Sequence, residues 1–561
     1  MTTYDLIEEP WLPCRRADGR ASSLGLRAAL VLAPELRELH DSSPLVEVAL
    51  HRLLLAIVHR IFGPADSATW ARLWTANQWD EPALTAYLDH WRGRFDLFDP
   101  DRPFYQAADL DFGYANSVAM LAHELAPAAN QAVLFDHTLA DAPVWMTPDR
   151  AARAVVAHQA FSLGGFLPFE RGQDPKLFKS ADAGPLTKGA VCLIRGDTLF
   201  QTLMLNLHRY HPADEEPFPV RGDDLPAWER DVGPRAGDRM PTGYLDLLTW
   251  QSRRIRLAPE VGPDGTVQVR RCVIMKGAQF PDGYSRHGRE PMLAFVHRQK
   301  APAGQDPWPA VSFQPDRVVW RDSLALVQSL AEHRTRPQTV TWLHDLVAEG
   351  RLDRSRLLAI DLLGMSVDRA KVFLWRHERL PLPLLYLDEP NLVHALEEAL
   401  TAANSVHKDL CDAVDELAKL LLAPASDDRQ NRQPLPADCT ALRKHLGPAR
   451  RYWARLEQPF LALLHQLPED RSEADGESVY GRRELDGWSL TLRRAAEAAL
   501  AEATRGQDRS ARGLKAAARA ESFLRHRLHQ TLGHGGAATD LTVPFSFAVD
   551  PPADADELAP A

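Results

Sequence analysis

The sequence has few cysteines and none of the close cysteine pairs that bind zinc or build a disulfide framework. Its 561 residues contain five cysteines, and no two of them stand in a CxxC spacing. Thiols this far apart are typical of a cytosolic protein whose cysteines stay reduced and mostly buried. The sequence therefore predicts a cytoplasmic protein without a zinc site. The five cysteines are Cys14, Cys192, Cys272, Cys411 and Cys439.

Long apolar runs and an excess of positive charge are also missing. The longest apolar run, within 48–58, is interrupted by His51 and Arg52 and is too short to span a bilayer. A formal net charge of −11 argues against a protein that coats nucleic acid by bulk charge. It is compatible with a local basic groove, because binding follows the field at the groove rather than the total charge.

The common catalytic and cofactor motifs are absent as well. The chain contains no GxxxxGK[ST], no HExxH, no GxSxG, and no GxGxxG after a strand, which argues against a phosphate-loop ATPase and predicts no cofactor. Two dipeptides, His40-Asp41 and His344-Asp345, leave a metal-dependent nuclease or phosphohydrolase as an alternative. Such a site needs further ligands that converge on the metal, and none is recognisable near either pair.

Helical and extended patterns alternate through the first two thirds of the chain, up to about residue 382. This alternation predicts an α+β fold whose large N-terminal domain, 1–382, mixes helices with short antiparallel sheets. Apolar spacing predicts helices over 45–62 and 149–159, and extended patterns predict strands over 4–14, 244–257 and 266–275.

From residue 388 onward the pattern is helical. Apolar residues keep a 4-3 spacing up to a stop at Pro424, and three more helices are expected at roughly 438–467, 484–505 and 509–532. The sequence predicts a C-terminal four-helix bundle over 383–535. The last residues, 536–561, form an acidic tail rich in proline and alanine that we expect to be disordered.

Charge is unevenly distributed over this predicted bundle. Residues 383–424 carry a net charge of −6, whereas 425–532 carry +4. The later helices hold arginine pairs at Arg450-Arg451 and Arg493-Arg494. Such a face is either a phosphate-binding surface or an ordinary solvated face with paired charges, and the pattern alone leaves both open.

The stretch 129–172 holds the strongest contact signals. A polar and aromatic loop covers 130–137, and Gly164-Gly165 follows the helix predicted over 149–159. Adjacent glycines let backbone amides approach a ligand closely, although they also serve as a helix cap and turn. Two other candidates are Lys276, at a strand end, and a polar hairpin tip at 368–371. Each of these also has a purely structural interpretation as a surface loop, a cap, a solvated lysine or an exposed turn.

A family resemblance favours the functional interpretation of these elements over the structural one. The opening YDLIEEPWLPC, the segment DRPFYQ, a helix followed by SLGGF, the run LFKSADAGPLTKGAVCLIRGDTLFQTLMLNL and the helical C-terminal part occur in this order. Together they resemble the CasA family, the large subunits of type I-E CRISPR Cascade surveillance complexes. The resemblance covers nearly the whole chain, and its strength lies in this collinearity. It implies a non-catalytic protein that reads the protospacer-adjacent motif (PAM) on duplex DNA while a guide RNA held by other subunits reads the sequence.

The resemblance also implies which residues act. A glycine loop at Gly164 and Gly165 and a lysine finger at Lys276 would meet the PAM duplex from its minor groove. The resemblance further implies a wedge at the hairpin tip that enters the duplex where it first opens. The wedge residues would be Asp368, Arg369 and Ala370. The family pattern has glutamine where this chain has Arg369, whose guanidinium plane can also stack on an unpaired base.

Partners are implied by the same resemblance. A loop would touch the guide RNA and the backbone subunits, and it consists of Leu134, Phe135, Asp136 and His137. The arginine pairs of the bundle would hold the displaced strand and a small subunit, and the chain would dock the helicase-nuclease. Some relatives carry a cysteine cluster in mid-chain, but Cys272 stands alone here, so no zinc is implied. A scaffold that binds only protein remains a further alternative.

Overall fold

Helices and short, mostly antiparallel sheets build the chain up to Pro383, and helices build most of the chain beyond it. The structure is a computed structural model that describes residues 2–122, 144–210, 223–231, 233–262, 264–301, 305–313, 334–368, 371–423, 434–474, 477–505 and 510–533. The strands are β1 Leu12–Arg16, β2 Ala21–Leu24, β3 Leu36–Leu39, β4 Asn116–Ser117, β5 Gly165–Phe166, β6 Ser180–Ala181, β7 Val191–Arg195, β8 Gly237–Asp238, β9 Arg253–Val261, β10 Val267–Lys276, β11 Ala278–Gln279, β12 Phe295–Val296, β13 Arg334–Thr335, β14 Leu357–Asp368, β15 Lys371–Pro383, β16 Arg471–Ala474 and β17 Glu477–Tyr480. The helices are α1 Leu26–Val31, α2 Pro44–Phe62, α3 Ser67–Ala76, α4 Glu81–His90, α5 Pro148–Phe161, α6 Pro175–Phe178, α7 Leu199–Asn206, α8 Tyr244–Leu248, α9 Gln338–Ala348, α10 Leu385–Asp388, α11 Pro390–Leu422, α12 Pro436–Leu446, α13 Pro448–Gln466, α14 Arg482–Arg505 and α15 Ala511–Leu532.

Helix α2 lies in the core of the N-terminal part. It begins with Pro44 at its first position, where a missing N–H is harmless, and residues 45–59 are all buried. A charged residue within it therefore needs a partner of opposite charge. Arg52 donates to both carboxylate oxygens of the buried Glu290, at 2.6 and 3.2 Å. This pairing explains how an arginine can interrupt the longest apolar run of the sequence.

Two sheets carry the segments that the sequence singled out. Strand β10 pairs antiparallel with β9, and Lys276 at its end lies opposite Arg253. Strands β14 and β15 form a long hairpin, and β7 pairs with β14 near its base from Ala359↔Arg195 to Leu363↔Val191. The predicted mixture of helices with short antiparallel sheets is confirmed.

Several predicted elements are confirmed and others are wrong in their bounds. The helices predicted over 45–62 and 149–159 are present as α2 and α5, and the strand predicted over 266–275 is present as β10. The strand predicted over 4–14 is wrong for its first half, because β1 begins only at Leu12. Before it, the Asp5 side chain accepts the Ile7 N–H at 2.9 Å and closes a turn.

The strand predicted over 244–257 is also wrong in its first half. Helix α8 occupies its start, and β9 begins only at Arg253. The cause is tertiary: the carboxylate of Asp224 accepts the backbone N–H groups of Leu245 and Asp246 at 2.9 and 3.0 Å. A carboxylate in this position satisfies free amides of the first helical turn. Because Asp224 is distant in sequence, no local pattern reveals it.

The C-terminal segment is helical, as predicted, but the helix expected over 438–467 is two helices. Gly447 takes a left-handed conformation with φ +58°, and Pro448 begins α13 immediately after it. A left-handed glycine ends a helix, and proline is well suited to start one. The described part of this segment therefore contains five helices of more than ten residues, because one predicted helix is divided into two.

Helix α11 contacts the later helices through buried hydrogen bonds. The Tyr452 hydroxyl of α13 and the Trp488 indole N–H of α14 donate to backbone carbonyls of α11 at 3.0 and 2.9 Å. From α15, Arg527 donates to the buried carboxylate of Asp409 at 2.9 Å. The buried apolar side chains of these helices belong to one cluster with those of the N-terminal part. The four-helix architecture and the boundary between 1–382 and 383–535 stay predictions, and the tail 536–561 lies outside the described residues.

Candidate nucleic-acid interface

The two glycines do not cap the preceding helix. Helix α5 ends at Phe161, and Ser162 already has an extended ψ of 137°. Gly165 has φ +141° and begins β5, which pairs with β6 as Gly165↔Ala181. A Cβ on Gly164 would lie only 3.1 Å from the backbone N of Ala183, whereas a Cβ on Gly165 would meet nothing within 4 Å. Gly164 is thus needed for close packing, and Gly165 for its backbone angle on an open surface.

Lys276 meets the same segment of chain. Its ammonium donates to the backbone carbonyl of Leu177 in α6 at 2.8 Å. Leu177 and Ala181 both lie in 175–181, the short stretch that also pairs with Gly165. Two of the predicted DNA-contacting elements, widely separated in sequence, therefore share one structural support. We call Gly164, Gly165 and Lys276 the glycine-lysine site.

The sequence did not identify a buried arginine that donates hydrogen bonds to the backbone on both sides of this site. Arg253 is 1% exposed, and its guanidinium donates to the carbonyl oxygens of Leu163 and Asp182 at 2.7 Å each and of Ser252 at 2.8 Å. Burial lowers its pKa to about 10, so the side chain remains a cation at neutral pH. Leu163 lies next to β5 and Asp182 next to β6, so the Arg253 side chain links these two paired strands.

Further buried amides and hydroxyls fix the surroundings of Arg253. The Gln159 side chain accepts the backbone N–H of Arg253 and donates to its carbonyl, both at 2.9 Å. The hydroxyls of Ser162 and Ser252 are 3.0 Å apart. Gln279 accepts the Asp182 N–H at 2.5 Å. A satisfied, buried hydrogen-bond network of this kind restrains the backbone of the glycine turn.

The predicted wedge lies at the end of the β14–β15 hairpin. The strands pair up to Asp368↔Lys371, with a register shift after Ser366. A hairpin tip at 368–371 is therefore consistent with the two strands that flank it. Arg369 and Ala370 lie outside the described residues, as does the whole loop of Leu134, Phe135, Asp136 and His137. Their predicted roles stay predictions.

The base of this hairpin is anchored by a buried carboxylate. Asp361 is fully buried and meets Arg195 at 2.5 Å, His377 at 2.9 Å and Arg379 at 2.6 Å. Burial by itself would raise the pKa of Asp361, but hydrogen bonds from Arg379 and His377 and the charge of Arg195 hold it well below its ordinary value. The base of the hairpin is thus held against β7 by both strand pairing and this cluster of charges.

The four arginines predicted to hold the displaced DNA strand differ in their surroundings. Arg451 pairs with Glu502 at 3.4 Å and donates to a backbone carbonyl. Arg450 and Arg494 are exposed, and Arg493 is half-buried. None of these last three forms an ion pair with a described carboxylate.

The two His-Asp pairs do not gather a metal site in the described part of the chain. The Asp41 carboxylate accepts the Ser43 N–H at 2.9 Å and pairs with Arg153 at 3.3 Å. His344 contacts only its neighbour Asp345 in this way, at 3.2 Å. Within the described ranges no group of three His, Cys, Asp or Glu side chains is placed to hold a metal ion.

All five cysteines are free thiols, and four of them are buried. Burial raises the pKa of the Cys272 thiol to about 12, so it is neither a reactive thiolate nor a ready metal ligand. Among the described helices, none combines the length and apolar character that a bilayer crossing requires.

Comparison with known proteins identifies the family. Residues 5–499 match the family described as CRISPR-associated protein Cse1. The chain belongs to the Cse1 (CasA) family. A curated relative, CRISPR-associated protein CasA/Cse1 of Thermus thermophilus, is 32% identical over 539 residues, which cover 92% of this chain and 96% of the relative. The resemblance to the CasA family that the sequence indicated is confirmed.

Solved structures of Cse1 proteins share the fold. The crystal structure of Thermus thermophilus CasA is similar with a TM-score of 0.75 and 28% identity, over 94% of this chain and 100% of that one. Cse1 from Acidimicrobium ferrooxidans gives a TM-score of 0.74 and 27% identity, over 95% and 99%. A chain of a CRISPR RNA-guided surveillance complex gives 0.72 at 22% identity, over 94% and 100%, which shows a common fold.

Proposed function

We propose that this Cse1-family chain is a non-catalytic, DNA-binding large subunit of a type I-E CRISPR RNA-guided complex. In this role it recognises the PAM in duplex target DNA, helps to open the duplex and docks the helicase-nuclease. Its partners would be the crRNA-containing backbone and small subunits of Cascade. The similarity to Cse1 proteins and to a chain of a CRISPR RNA-guided surveillance complex supports the assembly part of this proposal.

One observation carries the DNA-reading part: Gly164-Gly165 and Lys276 meet on the single segment 175–181. A glycine turn and a lysine are weak signals when considered separately. Their convergence at one surface places exposed glycine backbone and a lysine ammonium together. Acceptors on the minor-groove floor, adenine N3 and thymine O2, require donors of this kind.

The donors at this site suit weak contacts with base edges in the DNA minor groove. The Lys276 ammonium has three N–H donors and gives one to the Leu177 carbonyl, so two remain for base-edge acceptors. Gly165 presents backbone without a side chain, and nothing in the chain lies within 4 Å of where its Cβ would be. Minor-groove patterns distinguish mainly A·T from G·C pairs, so we expect a permissive PAM set. Weak contacts also allow quick release from wrong sites.

The hairpin and the helical segment would act after PAM binding. A hairpin fixed at its base by Asp361 can press its tip against the first base pairs, where occupying the gap offsets an unstacking cost of a few kcal/mol. Guide pairing then replaces one duplex by another of similar stability. The exposed Arg450 and Arg494 would hold the displaced strand through its phosphates.

The test is a mobility-shift assay with a guide-loaded complex that lacks its large subunit. This protein is added back, and duplex targets differ only in the bases that flank the protospacer. We expect tight binding to need both the protein and particular flanking bases, and Lys276→Ala to abolish that preference with a loss of at least about 1 kcal/mol. Lys515→Ala, an exposed lysine on α15, is the matched control. Binding that ignores the flanking bases would refute PAM reading and favour a scaffold.

A further inference from the structure

The most exposed large apolar side chain among the described residues lies directly beside the glycine turn. Phe166 is 82% exposed, although phenylalanine is usually buried. It follows Gly165 in β5 and lies opposite Ser180 of β6. A single exposed apolar side chain needs no explanation by itself, so the significance of Phe166 depends on what lies around it.

The backbone that presents Phe166 is fixed on both sides. The carbonyl of Leu163, before the turn, accepts from buried Arg253 at 2.7 Å. After Phe166, the N–H of Leu167 donates to the Lys179 carbonyl at 2.7 Å. The ring therefore projects from an ordered two-stranded element. Little conformational entropy remains to be lost when a partner binds it.

One lysine contacts the ring, and two more lie in or reach the adjacent helix α6. The Lys179 ammonium lies 5.0 Å from the centroid of the Phe166 ring, within cation–π range. Lys176 is exposed in the adjacent α6, and Lys276 reaches the same helix. None of the three lysines forms an ion pair with a carboxylate in the described ranges. An apolar ring next to a group of lysines matches a nucleic acid, whose base pairs are apolar on their faces and whose backbone is anionic.

We propose that Phe166 is a DNA-contacting residue whose ring enters the minor groove beside the glycine turn and lies against a base-pair step. Lys179 and Lys176 meet the phosphates on either side of that step. This inference rests on the proposed function, because it places the ring in the duplex that the glycine-lysine site would read. Phenylalanine is among the side chains that enter a minor groove in this way and partly unstack a base step. The hairpin tip is then the second of two elements that act on the duplex.

The test uses the full-length protein added to the guide-loaded complex that lacks its large subunit. Duplex targets carry 2-aminopurine at successive positions across the flanking bases. The variants are Phe166→Ala, Phe166→Leu and Phe166→Tyr, with Leu514→Ala as control, since Leu514 is 61% exposed on α15, away from this element. Because these side chains are exposed, none of the substitutions removes a core contact.

We expect Phe166→Ala to weaken duplex binding roughly 5- to 150-fold, the range for loss of one aromatic contact to a base. Phe166→Tyr should retain most of the affinity, Phe166→Leu should be intermediate, and Leu514→Ala should match the unmodified protein. Binding should also change the 2-aminopurine fluorescence at one flanking step, and Phe166→Ala should remove that change. A target whose first base pairs are already mismatched should bind the alanine variant with a smaller deficit.

The outcomes separate this inference from the proposed function. If flanking bases matter and Lys276→Ala abolishes the preference, but Phe166→Ala binds like the unmodified protein, PAM reading stands and the role of Phe166 is refuted. If Phe166→Ala weakens duplex binding where flanking bases have no effect, the ring contacts DNA and PAM reading fails. If Phe166→Ala impairs assembly with the guide-loaded complex before DNA is added, the ring is a protein contact and the inference is overturned.

Discussion

Replacement of Arg253 by methionine tests whether one buried cation positions the glycine turn. The guanidinium donates to the carbonyls of Leu163, Asp182 and Ser252 at 2.7–2.8 Å. The Ser252 carbonyl keeps another donor, the Gly277 N–H at 3.1 Å. The other two carbonyls have no second donor among the described groups. Methionine therefore leaves two carbonyls without a partner.

The structure sets the size of the effect. Each carbonyl left without a donor costs about 1–3 kcal/mol. Removal of a buried charge that has no carboxylate partner offsets part of this cost. We expect a net loss of about 2–4 kcal/mol in the free energy of unfolding. The loosening should concentrate at 163–167 and 180–182, because these are the two strands that Arg253 ties together.

Three measurements check this expectation. Denaturant unfolding gives the overall loss, and hydrogen exchange of the Leu167 amide, bonded to the Lys179 carbonyl at 2.7 Å, reports the turn. Binding of flank-variant duplexes by the assembled complex reports the site. Arg270→Met is the matched control, because this arginine of the neighbouring strand β10 is 42% exposed and pairs with Glu260, which is 47% exposed, at 3.6 Å.

A pair with such an exposed partner contributes about 0–1 kcal/mol, so the control should change little. A merely structural Arg253 would lower stability without selectively altering exchange at 163–167. Unchanged exchange there, together with an unchanged flank preference in Arg253→Met, would refute the positioning role.

Three further predictions concern other parts of the molecule. Asp361→Asn removes one of the two buried carboxylates that pair with Arg195, the other being Glu47, so the free energy of unfolding should fall by about 1–3 kcal/mol at pH 7 in denaturant titrations. Because the folded-state pKa of Asp361 is lowered, its contribution is fully present above the unfolded-state pKa of about 4 and declines as the pH falls from there towards the lower folded-state pKa, so the difference between the variants should begin to shrink below about pH 4. Gly165→Ala meets no atom within 4 Å but must adopt φ +141°, so it should cost about 1–3 kcal/mol in unfolding and weaken duplex binding in the assembled complex. Incubation with Mn²⁺ and single-stranded DNA should give no cleavage, by gel, for the unmodified protein or for His40→Ala and His344→Ala.

Each of these three predictions has a result that would contradict it. A constant difference between Asp361→Asn and the unmodified protein from pH 7 to pH 3 would contradict the assigned role of the carboxylate. A Gly165→Ala protein of unchanged stability would mean that the turn adopts another backbone geometry. Robust cleavage that disappears in either histidine variant would identify a metal-dependent nuclease and overturn the non-catalytic proposal.

Local patterns in the sequence predicted much of the architecture. Helices α2 and α5 and strand β10 follow from the spacing of their apolar residues. The hairpin tip at 368–371 follows from a polar interruption between two extended runs. The family membership followed from the order of many weak signals along the chain. These are properties that near neighbours in sequence decide.

The failures share a different cause. Helix α8 begins where it does because Asp224 satisfies its first amides, and no residue close in sequence indicates this. The break at Gly447-Pro448 was visible as a dipeptide, but a continuous apolar pattern on either side concealed it. Arg253 looked like one of several charges in a strand. Its burial and its three carbonyl partners depend on segments that lie far apart in the chain.

The sequence by itself determined which residues carry candidate chemistry: a glycine pair, a lysine at a strand end and a polar hairpin tip. Only the tertiary structure decided that the glycine pair and Lys276 lie on one support, that Arg253 holds this support from beneath and that Phe166 stands exposed beside it. Periodicity and turn chemistry act between neighbouring residues, so they can be seen in a sequence. Convergence of a turn, a strand end and a buried cation requires the folded chain, because contacts between distant segments form only when the core packs.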